Sequence, residues 1–235
     1  GKDGLLSLEE GKKTTIEVEI AEGMRFEKGF ISPYFINDFK RMEAVLDNPY
    51  ILLTDKKLTL LKRDLIPVLE QVRRVQAPLL IIASDVEKDV WTTLILNKLR
   101  NVVDVVAVRI PYFGQRRQPI LDDLAVLTQG QVISDERGFS LDNITLDLFG
   151  KATKVIVTKN DTTIINKGTE ENVKQHCEKL RKQINLSVDN YQIQQLQDRI
   201  AKLSGGVATI KVGAMTETEL KDKKLRLEDA LNATR

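Results

Sequence analysis

Between residues 50 and 134 the chain alternates short, almost unbroken apolar runs with amphipathic segments, and that alternation leaves few folds open. Tyr50-Ile-Leu-Leu, PLLIIAS (78–84), VVDVVAVRI (102–110) and QVIS (131–134) read as strands, while about 64–75, 87–100 and 117–128 read as helices. Pro67 fits the first of these helices because first-turn amides have no intrahelical partner to lose. A strand that is apolar on both faces has to be covered on both faces. Repeated strand–helix alternation of this kind predicts a largely parallel sheet with helices packed on it, so the expected class is α/β.

The flanking segments extend the pattern. Ile16, Val18 and Ile20 alternate with Glu17 and Glu19, a half-exposed strand with no partner nearby in sequence. TKVIVTKNDTTIINKG (153–168) reads as a hairpin turning near Lys159-Asn160-Asp161. Val173, Cys177, Leu180 and Ile184 recur at helical spacing. A second helix over about 189–203 carries Ile193, Leu196, Ile200 and Leu203 and is stopped by Gly205-Gly206. VATIKV (207–212) then reads as a strand, and a charged helix from about Glu217 holds Leu220, Leu227 and Leu231 on one face. The first and last strands flank everything between them, so the expected architecture is a compact α/β insert on a second domain built from both ends of the chain.

Composition narrows the function. The 235 residues are 42% hydrophobic and 30% charged, enough for a sizeable core. Thirty-six basic against thirty-four acidic residues leave +2, so no strong field draws the chain to nucleic acid or anionic membrane, and neither partner is expected. The lone Cys177 and lone His176 give no disulfide framework and no expected metal site. No apolar run approaches the roughly eighteen residues of a membrane span. Neither GxGxxG nor GxxxxGK[ST] occurs. The chain starts at Gly and stops inside a helical pattern, as expected of a piece of a longer protein.

Against that background Glu22–Phe35, EGMRFEKGFISPYF, stands out, with Met24, Phe26, Phe30, Ile31, Tyr34 and Phe35 in fourteen residues. Met24 and Phe26 fit a strand that faces a core. Pro33 has no amide hydrogen for a sheet, so Ile31–Phe35 must turn away. Two helices also carry more apolar surface than one buried stripe needs. Val90, Trp91, Leu94, Ile95, Leu96 and Leu99 spread over about two thirds of the helix girth at 100° per residue. Leu65, Ile66, Val68, Leu69, Val72 and Val75 cover about half of theirs. Two adjacent over-apolar helices beside an aromatic loop suggest a groove for apolar polypeptide segments. The alternative is an enzyme domain holding a small molecule at the carboxyl ends of its strands, near 84–88 and 110–117.

EGMRFEKGFISPYFIN (22–37), PLLIIASDV (78–86), TKNDTTII (158–165) and RIAKLSGGVATIKVGAMTETELKDKKLRLEDALNATR (199–235) closely resemble a group I chaperonin, the GroEL family. The resemblance covers essentially the whole chain. It implies an apical domain at 22–207 and intermediate-domain pieces at 1–21 and 208–235. In that family the apical domain captures non-native polypeptides and then the mobile loop of the GroES co-chaperonin, at the mouth of a double heptameric ring that uses ATP and Mg. The binding positions match Phe30, Ser32, Tyr34, Phe35, Ile66, Leu69, Trp91, Ile95 and Leu96, with Asn97 and Arg100 at the polar edge. Asp229 matches a carboxylate that orients the attacking water on the nucleotide. Lys28 and Glu217 match an ionic contact between subunits.

The family's nucleotide-binding equatorial domain has no counterpart in this sequence, so no cofactor and no ATPase activity are expected of the chain alone. The resemblance points to bacterial cytosol or plastid stroma ahead of the mitochondrial matrix. Several positions depart from the family pattern. Trp91 stands where an aliphatic residue is usual, and RIPYFGQRRQP (109–119) replaces KAPGFGDRR. Ser84, Asp38 and Ala77 occupy positions that are often charged otherwise, and one residue is inserted around 58–63.

Overall fold

A computed structural model describes residues 16–212 and 217–233. The chain divides into two compact units, one of Glu22–Ser204 and one drawn from the residues up to Ala21 and from Gly205 onward.

The strands are β1 (Ile16–Ala21), β2 (Gly23–Phe26), β3 (Ala44–Asp47), β4 (Tyr50–Thr54), β5 (Lys57–Leu58), β6 (Leu79–Ala83), β7 (Asp85–Val86), β8 (Val105–Arg109), β9 (Val132–Ile133), β10 (Gly150–Lys151), β11 (Lys154–Val157), β12 (Thr162–Ile165) and β13 (Val207–Val212). The helices are α1 (Ile66–Arg74), α2 (Lys88–Leu99), α3 (Arg117–Thr128), α4 (Glu170–Leu186), α5 (Asn190–Gly205) and α6 (Glu217–Ala233). The protein is mixed α/β.

In the larger unit β4, β6 and β8 run parallel, with β9 parallel and β10 antiparallel along the other edge of β4. Ile51–Thr54, all of β6 and Val105–Val108 are buried, which is why each reads as a continuous apolar run. α1 and α2 lie in the connections from β4 to β6 and from β6 to β8, which the right-handed rule for parallel crossovers places on the same face of this sheet. The return from β8 to β9 runs the other way and puts α3 opposite, against β4, β9 and β10.

A second sheet, ordered β2-β12-β11-β3 and antiparallel throughout, holds the hairpin between two partners. Met24 and Phe26 point into the core while Arg25 between them is exposed. Val173, Cys177 and Leu180 of α4 and Leu196 and Leu203 of α5 join the same core.

In the smaller unit β1 pairs antiparallel with β13 from Ile16–Val212 to Ala21–Val207, supplying the distant partner that β1 requires. The opening residues 1–15 lie outside the described residues.

Two boundaries differ from the sequence pattern. The strand read at 102–110 begins only at Val105. The helix read from 64 is preceded by a wide turn over Leu61–Leu65, in which the Ile66 N–H donates to the Leu61 carbonyl five residues back. An i→i+5 bond accommodates one more residue in the turn than an α-helix does.

Candidate functional site

The aromatic segment is placed by a close backbone approach followed by a sharp stop. Gly29 lies against the 158–159 backbone, so Phe30 N–H reaches the Thr158 carbonyl at 3.1 Å and Ile31 N–H reaches Ala107 at 3.0 Å. Phe30 thus bridges antiparallel to Val108 on the edge of β8. Pro33 cannot continue that pairing. Ser32 is extended and buried, its Oγ accepts the Tyr34 N–H at 3.2 Å, and Pro33–Phe35 close one tight helical turn. With three residues per turn, neighbours in such a turn point about 120° apart. Tyr34 is left 70% exposed and Phe35 0%.

Leu65 just ahead of α1, and Val68 and Val72 on it, face the core, while Ile66 is exposed and Leu69 half-buried. On α2, Val90 and Leu94 are fully buried, Trp91 is half-buried against the core, and Leu96 (45%) and Leu99 are exposed. The Asn97 amide donates to the Thr93 carbonyl at 2.8 Å, and Arg100 closes the helix from an exposed position. The Pro33–Phe35 turn and the Leu61–Leu65 turn both contact α2. Tyr34, Leu60, Ile66, Leu69, Trp91, Leu96 and Leu99 are exposed or half-buried apolar residues on the Pro33–Phe35 turn, the stretch leading into α1, α1 itself and α2, and both turns touch α2. Exposed apolar side chains that cluster mark sites where chains dock.

The profile of the TCP-1/cpn60 chaperonin family matches residues 2–235. The chain belongs to that family. Chaperonins in general are ATP-dependent, ring-forming chaperones of non-native polypeptides, and membership supports a chaperone role for this chain.

Within this chaperonin chain three of the sequence-derived groove residues, Ser32, Phe35 and Ile95, are buried. Phe35 backs the surface from inside, and Ile95, 7% exposed, does the same from α2. Ser32 acts through the backbone of Tyr34 and is itself buried. Leu60 and Leu99 were not among the sequence-derived site residues. Their signal is the apolar excess of TLLK (59–62) and of α2.

The remaining sequence-derived positions lie elsewhere. Lys28 is half-buried beside the hairpin, its carbonyl accepting from Thr162 Oγ1 at 2.7 Å. Asp229 is exposed on α6; Glu217 opens that helix, and its side chain lies outside the described ones.

At the carboxyl ends of the parallel strands, where an enzyme site would lie, several of the chain's own charges pair with one another. Asp85 binds Arg109 at 2.7 Å, and Lys56 binds Asp135 at 2.6 Å. Asp55 accepts from Ser134 Oγ at 2.7 Å and Gln118 Nε2 at 3.0 Å. The Arg109 bond holds the Asp85 carboxyl below its ordinary value, against the opposing effect of burial. Arg116 and Arg117 stack on Tyr112 and Phe113, at 4.3 and 5.7 Å from the ring centroids. Among the described residues no cluster of three or more His, Cys, Asp or Glu could hold a metal, and no helix is long and apolar enough to cross a membrane.

Proposed function

We propose that Glu22–Ser204 is the apical, polypeptide-capturing unit of a group I type chaperonin, and that the segments around it belong to the intermediate domain. What supports this reading is that the Pro33–Phe35 turn, α1 and α2 each leave large apolar side chains open to solvent, and that this turn and the turn leading into α1 both touch α2. Tyr34, Ile66, Leu69, Trp91 and Leu96 offer burial without fixed polar partners, which suits many different apolar segments. The same surface would take the mobile loop of a GroES-type co-chaperonin, with Asn97 and Arg100 at its polar edge. Lys28 and Glu217 are proposed to pair between subunits of the ring.

Asp229 is proposed to serve hydrolysis only in the assembled chaperonin. A single exposed carboxylate with no phosphate-cradling motif does not fit a nucleotide, so no ATP turnover is expected of these residues by themselves.

Burying one large side chain contributes roughly 1.5–3 kcal/mol, and ordering the captured chain offsets part of that. One unit should therefore bind weakly, and a ring of them tightly through multivalency. Trp91 is the sole tryptophan and sits half-buried on this surface, so its emission should shift to the blue as an amphipathic apolar peptide is titrated in. Tyr34→Glu and Leu69→Ser should each weaken that binding by about tenfold, the equivalent of one lost contact of about 1.4 kcal/mol. Unchanged affinity in both variants would remove the surface from the reading. The affinity should also be nearly independent of salt, since no ion pair contributes to it.

A further inference from the structure

The wide turn ahead of α1 is tied by one buried carboxylate. Asp64 is 2% exposed and accepts five hydrogen bonds. Thr59 N–H donates at 2.8 Å and Leu60 N–H at 3.1 Å, Thr59 Oγ1 donates at 3.3 Å, and Arg63 adds Nε at 2.7 Å and Nη2 at 3.0 Å. Burial alone would push this carboxyl up. The Arg63 and backbone N–H bonds outweigh that and hold it well below the usual carboxylate range. The backbone either side of the knot carries apolar side chains of the proposed surface, Leu60 (53% exposed) before it and Ile66 and Leu69 after it. The i→i+5 bond from Ile66 to Leu61 spans Asp64. A wide turn of this kind could also close as an ordinary α-turn one residue shorter, and a side chain that fixes both flanks selects between the two registers.

We infer that Asp64 is the positioning residue of the α1 wall, holding Leu60 and Ile66 in the register that presents them for capture. The inference rests on the capture reading above, and it adds a polar residue that touches no client. A preformed wall binds without first ordering itself, so loosening the knot should cost affinity even with every apolar side chain in place.

The experiment compares wild type, Asp64→Asn, Arg63→Gln and Ile66→Ser, with a fluorescently labelled amphipathic peptide as probe. Affinity, the melting midpoint and amide exchange are read together. Asp64→Asn should bind at least fivefold more weakly and exchange faster over residues 59–66, while Leu79–Ala83 stay protected. Saturating peptide should restore protection over 59–66 in this variant and change little in wild type, a coupling that a merely structural role would not produce. Arg63 is largely exposed, so Arg63→Gln should fold even if Asp64→Asn does not, and should show a smaller loss of about twofold. Wild-type affinity in Asp64→Asn, or in Arg63→Gln should the former not fold, overturns the role of Asp64 if Ile66→Ser still weakens binding. Unchanged affinity in Ile66→Ser instead overturns the capture reading itself.

Discussion

Replacing Gly29 by alanine should lower the stability of the larger unit by about 3 kcal/mol and abolish peptide capture together with it. An added Cβ would lie 2.1 Å from the Thr158 oxygen, 2.2 Å from the Lys159 oxygen and 2.3 Å from the Lys159 carbonyl carbon. All three are backbone atoms, so no side chain can rotate aside. Either the turn after β11 moves or residues 28–31 lift away from it. Lifting would break the Phe30 bond to Thr158, and with it the lead into the Pro33–Phe35 turn that exposes Tyr34. For a chain of this size the loss corresponds to a melting midpoint lower by roughly 6–12 °C. Amide exchange at Phe30 and Ile31 should rise more than in α4 or α5. Gly205→Ala is the control, because its Cβ meets nothing, and it should be neutral or slightly stabilising. A Gly29→Ala protein with wild-type melting and peptide affinity would refute this account of how the segment is held.

The parts of this fold that were legible in the sequence are those where one periodicity decides burial. β4, β6 and β8 are buried on both faces, so their apolar runs are continuous and cannot be mistaken. The α4–α5 hairpin shows its inner face at helical spacing, and Met24 and Phe26 show theirs at a spacing of two. β3 carried no comparable signal. Ala44 and Leu46 are only two inward residues, and their partner β11 comes from the far end of the unit.

At the candidate site the sequence could not tell which apolar side chains reach solvent. Tyr34 and Phe35 are neighbours with the same apolar character, and only the tight turn set by Ser32 and Pro33 sends one outward and the other inward. Ile95 lies between Trp91 and Leu99 on the helical wheel, yet it is buried. α2 is touched by β8 and by two turns, so it is covered on more than one side. The partners of Asp64 and His176 are set by a local turn and by tertiary contacts that spacing does not reveal.

The largest side-chain effect is expected at Asp123, where three helices meet on one carboxylate. Asp123 of α3 is buried and accepts from Arg199 of α5 through Nε at 2.9 Å and Nη2 at 2.7 Å. His176 Nε2 of α4 approaches the same carboxylate at 2.8 Å, and because a carboxylate can only accept, that nitrogen carries the hydrogen. Asp123→Ala leaves the planar Arg199 fork and the His176 ring without their shared acceptor in a mostly buried place. Breaking one side of a buried pair costs about 3–5 kcal/mol, and the partial exposure of Arg199 and His176 puts the expected loss at the lower end, near ~3 kcal/mol. The sign of the double variant is the sharper test. Asp123→Leu with Arg199→Met removes both charges and should melt above Asp123→Ala, because no unpaired guanidinium remains. Exchange should quicken in α4 and α5 in the single variant and recover in the double. If the double variant is instead the less stable by the full sum of the two single changes, the three helices are held by their apolar faces alone, and Asp123 is a passenger in that contact.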